Sequence, residues 1–351
     1  MTKMLIVAGL SLKNLHPRVW DPNSPYFLAS LRAVMVSYGE FHQMPAQMER
    51  AERLGLREYL GVPKHVDVYL DNGAFYFLRT GESAERRRYQ EFVEKARPDW
   101  YPMAFDVIPT PQMSKAKQEI CFKQTMNANR AYVHDGYVPV IHVSRMLDSY
   151  VDAISRHPKL AAKNRLAVGA IVPNLLRAPK ALSYDTILGK LVQVRSAFRE
   201  KSIHLFGIGG TSTLHLAGLL EIDSVDSSGW RNRAARGIVQ LPGSGDRMVA
   251  NLGKWRGRVP NRSEWGKLRL CRCPACRVKG IRGMKASGIK GFCHRATHNL
   301  WVLLEEVRWL EKHLDADTYH NNYRRRLDNS VYLPLIEKAL AIRTTCPSRP
   351  V

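Results

Sequence analysis

The hexapeptide VYLDNG, residues 68–73, decides the fold of this 351-residue chain. It is a short apolar run that stops at an aspartate. Three other apolar runs stop at a polar side chain in the same way, at Asp106 of MAFDVIP, His142 of PVIHVS and Asp226 of DSVDSSG. The parallel strands of a (β/α)8 barrel present their C-terminal ends on one face, where residues distant in sequence meet. This pattern predicts such a barrel.

Short β-type runs alternate with longer helical patterns over the first 240 residues. Strands are predicted at 4–10, 65–70, 101–105, 138–143, 166–172, 204–208 and 224–226, and helices at 26–41, 84–96, 117–133, 146–157, 186–198 and 213–222. This alternation is typical of a parallel sheet. A doubly wound sheet usually carries a glycine-rich phosphate turn after its first strand, and VAGLSLKNL at 7–15 matches that turn poorly. We therefore expect a TIM-type barrel.

The charge balance points to a polyanionic partner. The chain has 54 Lys and Arg against 31 Asp and Glu, a formal net charge of +23. Such an excess repels itself unless a partner neutralises it, and nucleic acid is the common polyanion. No apolar run approaches the roughly 20 residues of a membrane span. Six cysteines without a secretory signal favour a reducing compartment, so we expect a cytoplasmic protein, in the host cytoplasm if it is phage-encoded.

A cysteine cluster lies in LRLCRCPACRVKG, residues 268–280. The C-x-C-x2-C spacing of Cys271, Cys273 and Cys276 allows three sulfurs to face one point, as tetrahedral zinc requires. Redox chemistry is the less favoured interpretation. A fourth ligand must come from a segment about twenty residues later, where the candidates are Cys293, His294 and His298. The sequence predicts a closed, structural zinc site.

Three regions follow from the change in composition near residue 240. Residues 1–240 are expected to form the main part of the barrel, 241–298 a basic zinc-binding insertion, and 299–351 C-terminal helices that complete the barrel or pack on it.

Several of these segments together resemble the tRNA-guanine transglycosylases. These are zinc-containing barrels that exchange guanine for a 7-deazaguanine base. The similarity lies in LDNGAF, FDVIP, AVGAIV, HLFGIGG, EIDSVDSSGWRNRAARG, the cysteine turn and THNLW, in that order over roughly residues 65 to 310. It implies a pentosyltransferase with structural zinc on Cys271, Cys273, Cys276 and His298.

The resemblance also implies roles for the polar strand ends. Asp226 corresponds to the nucleophile and Asp71 to the general acid and base. A carboxylate can capture the sugar carbon covalently, and a second carboxyl can handle the proton of the exchanged base. Base recognition is assigned to Asp106, His142, Gly169 and Phe75. Taken singly, the aspartates could be turn or cap residues and His142 a packed histidine.

Basic residues after the nucleophile would hold the nucleic acid. The candidates for phosphate contact are Arg231, Arg233, Arg236, Arg256 and Arg258. Phosphate contacts position a polymer and make its binding salt-dependent.

Departures from the family pattern favour a DNA substrate. His142 stands where the family has a base-reading glutamine, and SGWR replaces the P-T-R that follows the nucleophile. These changes resemble the DNA-modifying, DpdA-type branch, which installs 7-deazaguanines in DNA. DNA and the free 7-deazaguanine base are thus the expected partners, with tRNA as the alternative polymer and a homodimer as the assembly.

Two alternative functions are compared with this interpretation. A zinc-stabilised barrel that binds nucleic acid without catalysis would lack a carboxylate, whereas this sequence retains all three. A metal-dependent hydrolase of the barrel class needs an H-x-H motif, which the sequence does not contain.

Overall fold

The computed structural model describes residues 4–82, 85–175, 178–253 and 255–345. Its centre is a curled sheet of seven parallel strands in the order β3-β2-β1-β7-β6-β5-β4. The strands are β1 Leu5–Gly9, β2 Ala33–Ser37, β3 Asp67–Asp71, β4 Val140–His142, β5 Arg165–Gly169, β6 Ser202–Leu205 and β7 Ser224–Ser227. The mixed α/β architecture is compatible with the predicted TIM-like fold.

Residues 99–103 connect the two edge strands of this sheet. The N–H of Leu70 in β3 donates to the carbonyl of Trp100 at 2.9 Å, and the N–H of Met103 donates to the carbonyl of Val138, just before β4, at 3.1 Å. Both contacts are isolated parallel bridges. The predicted strand at 101–105 therefore corresponds to a segment that makes single parallel bridges to β3 and to Val138, just before β4.

Twelve helices precede or follow these strands within the described residues. They are α1 Tyr38–His42, α2 Pro45–Leu54, α3 Leu56–Leu60, α4 Ala74–Thr80, α5 Arg86–Ala96, α6 Lys115–Ala131, α7 Leu147–Arg156, α8 Pro158–Ala161, α9 Val172–Leu175, α10 Tyr184–Ala197, α11 Thr213–Leu219 and α12 Gly229–Ala235. Serine caps begin the two longest: Ser114 accepts from the Lys117 N–H and Ser183 from the Thr186 N–H, which satisfies donors that a helix leaves unpaired.

The remaining elements form the lobe that carries the cysteine cluster and the helices after it. They are β8 Ile238–Leu241, β9 Gly245–Met248, α13 Arg262–Arg269, α14 Pro274–Lys285, α15 Gly288–Asp315, α16 Tyr319–Arg326 and α17 Leu333–Thr345. The strands β8 and β9 pair as an antiparallel hairpin. The predicted boundary at residue 298 falls inside α15.

One long helix, α15, belongs to both parts of the molecule. Its residues Ala296, Leu300 and Leu303 are buried in the main core together with the strands of the seven-stranded sheet. A second, smaller cluster is formed under the lobe by residues that include Leu268, Cys273 and Met284. The main core thus includes α15, and residues of α16 and α17 such as Tyr319 and Leu335 are buried in the same core. Among the described residues, no helix has the length and apolar character needed to cross a bilayer.

The first predicted helix, 26–41, was wrong. Residues 33–37, AVMVS, form β2, and only 38–42 are helical. β2 pairs with both β1 and β3 and is buried, except for a partly exposed Ser37 at its end. A continuous apolar run that is buried on both faces carries no period-2 signal, so it can be mistaken for part of a helix.

Candidate active site and metal centre

Asp71 lies at the C-terminal end of β3, as its motif predicts. Its Oδ2 accepts a hydrogen bond from the Ser37 hydroxyl at 2.8 Å and another from the Gly73 N–H at 3.1 Å. Ser37 is the register partner of Asp71 on the neighbouring strand β2. Within the described part of the chain, Oδ1 of Asp71 accepts no hydrogen bond. Oδ2 is thus held by two hydrogen bonds, and Oδ1 remains available to accept another.

The electrostatic surroundings of Asp71 suit proton transfer. Burial raises the pKa of this carboxyl from 3.8 to about 6, the Ser37 hydrogen bond opposes that shift, and the negative charges of Asp226 and Asp106 add to it. A carboxyl that titrates near neutral pH can donate and accept a proton under physiological conditions. The contributions of Asp226 and Asp106 also indicate that the three carboxylates lie close enough to interact electrostatically, although 155 residues separate Asp71 from Asp226.

Asp106 is held by two neighbours. The amide of Asn72 donates to its Oδ1 at 2.8 Å, and Nε2 of His142 lies 3.0 Å from its Oδ2. Although burial opposes ionisation, the contacts with His142 and Asn72 outweigh it and lower the pKa of Asp106. Asp106 is therefore a carboxylate at neutral pH and can accept further hydrogen bonds.

His142 ends β4 and is almost completely buried, with 1% of its surface exposed. Its ring lies against Gly169, the last residue of β5: a Cβ at position 169 would be 2.8 Å from Nδ1 of His142. The absence of a side chain at Gly169 therefore makes room for the histidine ring.

Strained backbone occurs beside two of these positions. Phe105, directly before Asp106, has a φ of 47°, and Ala170, directly after Gly169, has a φ of 60°. Non-glycine residues seldom adopt this left-handed region, and such conformations concentrate at functional sites. Both residues lie where a strand or bridging segment ends.

Asp226 lies on β7, and one of its oxygens is held by the backbone. The Gly207 N–H donates to Oδ1 at 2.6 Å, and Nε2 of His204 lies 3.5 Å from the same oxygen. Among the described residues, none donates a hydrogen bond to Oδ2. Asp226 thus has the same arrangement as Asp71, with one oxygen fixed and one free.

Phe75 and the predicted arginines differ in exposure. Phe75, in the first turn of α4 after Asp71, is 65% exposed, so its ring is accessible for stacking. Arg231, by contrast, is 7% exposed and donates to the backbone carbonyls of Asn14 and His16. The guanidinium of Arg231 is therefore used inside the protein, where it holds the loop after β1 against α12.

The other four arginines lie nearer the solvent. Arg233 donates from Nε to both carboxylate oxygens of Asp246, at 2.7 and 2.8 Å. The guanidinium carbon of Arg236 lies 3.9 Å from the ring centroid of the half-exposed Trp255. Arg256 and Arg258 are exposed.

The cysteine cluster and one histidine form a compact candidate metal centre. Nδ1 of His298 lies 3.3 Å from Sγ of Cys271, 4.0 Å from that of Cys273 and 3.5 Å from that of Cys276. All four ligand atoms lie within 4.8 Å of one another. Tetrahedral zinc, with Zn–S of about 2.3 Å and Zn–N of about 2.0 Å, places sulfur and nitrogen about 3.5 Å apart. The donor set and its spacing therefore fit zinc.

Neighbouring groups orient these ligands. Nε2 of His298 lies 3.0 Å from the carbonyl oxygen of Gln240 in β8, which leaves Nδ1 as the metal-binding nitrogen. The Cys276 N–H donates to Sγ of Cys273 at 3.3 Å, which fixes that sulfur within the turn. Of the three candidates for the fourth ligand, only His298 lies in the cluster, and Cys293 and His294 lie outside it.

Two residues that hold the site were not predicted from sequence. Ser37 was missed because residues 26–41 were predicted as a helix. If AVMVS had been predicted as a strand, Ser37 would have been a polar residue at a strand end, as Asp71 and Asp226 are. Asn72 looked like part of a turn in LDNG, yet its amide joins β3 to the Met103 carbonyl and to Asp106.

Comparison with known proteins gives one distant relationship and no family assignment. No family model matches the chain. A tRNA-guanine(15) transglycosylase of Pyrococcus furiosus is 24% identical over 271 residues, which cover 74% of this chain and 41% of that protein. The chain thus spans less than half the length of this curated relative. The similarity supports a relationship to the tRNA-guanine transglycosylase superfamily.

Proposed function

We propose that this protein is a nucleic-acid transglycosylase that exchanges guanine in DNA for a 7-deazaguanine base, on a closed (β/α)8 barrel braced by structural zinc. The observation that carries the proposal is the convergence of Asp71, Asp106 and Asp226, in which the charges of the other two raise the pKa of Asp71. The three carboxylates supply a nucleophile, an acid–base group and an acceptor for the base edge. The distant similarity to a guanine transglycosylase supports the same reaction class.

In the first half-reaction Asp226 is the nucleophile. Its free Oδ2 attacks C1′ of the target nucleotide, while Gly207 holds Oδ1. The C1′–N9 bond breaks, its electron pair leaves with guanine, and the protonated carboxyl of Asp71 supplies the proton that makes the leaving base neutral. The product is a covalent glycosyl ester, as in retaining glycosidases.

The second half-reaction reverses the same steps with the new base. Asp71, now ionised, accepts the N9 proton of the incoming 7-deazaguanine. The nitrogen then attacks C1′, and the ester bond to Asp226 breaks to regenerate the carboxylate. A single carboxyl with a pKa of about 6 can serve in both directions near neutral pH.

Base recognition is assigned to Asp106 and the residues around it. A carboxylate can accept from both N1–H and the exocyclic amine of a guanine-type base, with lone pairs that Asn72 and His142 do not occupy. Phe75 offers an exposed ring on which a flipped base can stack. A base inside a duplex must first leave the stack before C1′ is accessible.

Phosphate contacts are assigned to Arg233, Arg236, Arg256 and Arg258. Arg231 is left out of this set, because its guanidinium is bound to backbone carbonyls in the interior. The exposed Trp255 beside Arg236 adds an aromatic surface to the same stretch. Zinc, when bound by Cys271, Cys273, Cys276 and His298, supplies a structural cross-link for the lobe that carries Arg256 and Arg258.

The choice of DNA rests on the departures from the tRNA-enzyme pattern at His142 and in SGWR after the nucleophile. The alternative polymer is tRNA, which the name of the Pyrococcus furiosus relative favours. Both alternatives share the site chemistry, and they differ in the polymer that the basic lobe accepts.

Base exchange with radiolabelled guanine tests the proposal. Purified protein is incubated with duplex DNA, single-stranded DNA and tRNA in parallel, beside an Asp226→Ala variant. Label in DNA but not in tRNA, and absent with the variant, is the expected result. Label in tRNA alone would assign the protein to the tRNA reaction, and no label in any polymer would contradict the proposed activity.

A further inference from the structure

His204 is a buried histidine that lies behind the candidate nucleophile. It sits on β6 with 2% of its surface exposed. Its Nδ1 lies 2.9 Å from the hydroxyl of Ser224, its register partner on β7. Its Nε2 lies 3.5 Å from Oδ1 of Asp226, two residues further along β7. The imidazole therefore lies against β7 at both Ser224 and Asp226.

Aromatic rings on several sides fix the orientation of this imidazole. The ring centroids of Trp100 and Phe206 both lie 4.9 Å from that of His204, and Tyr69 lies at 6.0 Å. Tyr69 and Trp100 are in turn stacked on each other at 4.8 Å. A ring packed in this way cannot turn away from Asp226 without moving its neighbours.

The hydrogen bonding of His204 favours a proton on Nε2. The Ser224 hydroxyl can donate to Nδ1, and a neutral imidazole that accepts at one nitrogen carries its proton on the other. Nε2 is buried and has no fully formed hydrogen bond to any described residue. The Asp226 carboxylate lies 3.5 Å from this nitrogen. An N–H directed at this carboxylate is favourable, whereas a nitrogen lone pair there would repel it.

We propose that His204 is a positioning residue for Asp226. The Nε2–H of His204 donates to Oδ1 of Asp226, and this hydrogen bond shortens as the glycosyl ester forms and breaks. The inference rests on the proposed transglycosylase function. His204 makes no contact with the base or the sugar in this proposal, and it acts only through the carboxylate of Asp226.

The contribution of this donor follows from the charge changes at Asp226. When Oδ2 bonds to C1′, the bond to guanine N9 breaks and Oδ1 becomes the carbonyl oxygen of the ester. When the ester breaks, the electron pair returns to the carboxylate, and negative charge grows again on Oδ1. Two fixed donors, the Gly207 N–H and the His204 Nε2–H, stabilise that charge and so make the carboxylate a better leaving group.

Nitrogen NMR of the whole protein tests the proton position without reference to activity. With 15N-labelled histidine, the expected spectrum shows His204 protonated at Nε2, and the resonance of this N–H shifts in Asp226→Asn. The surface variant Asp152→Asn, on α7, should leave it unchanged. An unprotonated Nε2, or an N–H insensitive to Asp226→Asn, would overturn the inference even if base exchange is observed.

Three substitutions of His204 then separate positioning from simple packing. Glutamine can place an amide N–H near the position of Nε2, asparagine can reach only the Ser224 side, and phenylalanine keeps the ring without a donor. We expect His204→Asn and His204→Phe to lower kcat by about 10- to 100-fold, with the KM of the free base unchanged, and His204→Gln to recover most of the loss. The ester should also persist longer in the two slow variants.

The outcomes separate the role of His204 from the proposed function. Equal activity in all three variants and the wild type would overturn the role of His204 while the proposed function stands. Equal losses in all three, matched by a lower melting temperature, would show a packing role and overturn it as well. If the wild type exchanges no base at all, the proposed function fails, and the NMR result alone decides whether His204 donates to Asp226.

Discussion

The cysteine cluster and the carboxylate cluster are two groups of ligand-type side chains assembled in opposite ways. Three of the four candidate metal ligands lie within six positions of one another, and the fourth is on α15. The three carboxylates come from widely separated parts of the chain, on β3, on β7 and after the bridging segment at 99–103. The cysteine cluster is mostly local in sequence, whereas the carboxylate cluster depends on the curl of the sheet.

The two clusters also differ in what remains free. In the cysteine cluster all four donor atoms face one point, and His298 is fixed from behind by the Gln240 carbonyl. A site with four protein ligands is closed and structural. Asp71 and Asp226, in contrast, each have one oxygen held and one without a donor among the described residues. The cysteine cluster can thus hold a metal ion with no open position, whereas Asp71 and Asp226 each keep one oxygen without a donor among the described residues.

The largest expected effect comes from the open cluster. Asp226→Asn removes the nucleophile and should lower the rate of base exchange by about a thousandfold or more, with little change in stability. The surface change Asp152→Asn is the matched control and should leave the rate unaltered. A rate within tenfold of the wild type in Asp226→Asn would show that the nucleophile is another residue.

Opening the closed cluster should affect stability first. Cys273→Ser is expected to reduce zinc content and to lower the free energy of unfolding by more than about 3 kcal/mol, because zinc binding contributes directly to folding. Zinc analysis and urea denaturation measure both quantities. Cys293→Ser, a buried thiol outside the cluster, should retain the zinc. Equal zinc in both variants would contradict the ligand assignment.

Asp71 combines a stability effect with an activity effect. Its pKa is raised from 3.8 to about 6, so keeping it ionised in the folded state costs about 1–3 kcal/mol. That cost is absent below pH 3.8, grows as the pH rises, and is complete above about 6. Asp71→Asn should therefore stabilise the protein at pH 8, less at pH 4.5, and slow base exchange. Urea denaturation at the two pH values measures this difference.

The same pKa sets a pH dependence for the first half-reaction. Guanine departure needs the protonated Asp71, so formation of the ester should slow as the pH rises through about 6. Rapid-quench measurement of the ester from pH 5 to 8 tests this dependence. A rate that rises over that interval would contradict the acid role.

The smallest effect is expected at the basic lobe. Replacing Arg256 and Arg258 together by alanine should weaken DNA binding modestly and reduce the salt slope by about 2, one for each phosphate that is no longer neutralised. Binding measured between 50 and 200 mM salt gives this slope. An unchanged slope would place the phosphate track elsewhere on the protein.

The two clusters differ in how far a local sequence pattern can predict them. The C-x-C-x2-C spacing identified the three cysteines without a fold, but it left Cys293, His294 and His298 open, because the choice depends on which way the α15 side chains point. Distances to the cysteine sulfurs select His298.

The carboxylates were predicted from the polar ends of apolar runs, which requires a barrel to bring them together. The neighbouring residues that hold these side chains in place could not be predicted in the same way. Ser37 lay in a strand mistaken for a helix, the amide of Asn72 acts across the strand ends, and the direction of the Arg231 side chain depends on the loop after β1.

Trapping the covalent ester tests the central claim most directly. Wild-type protein is mixed with a guanine-containing DNA oligonucleotide without an incoming base, denatured, digested and analysed by mass spectrometry. We predict a denaturant-resistant protein–DNA conjugate with the nucleotide attached to the peptide that contains Asp226. A conjugate at another residue, or none under conditions where the DNA releases guanine, would contradict the account of the open carboxylate cluster.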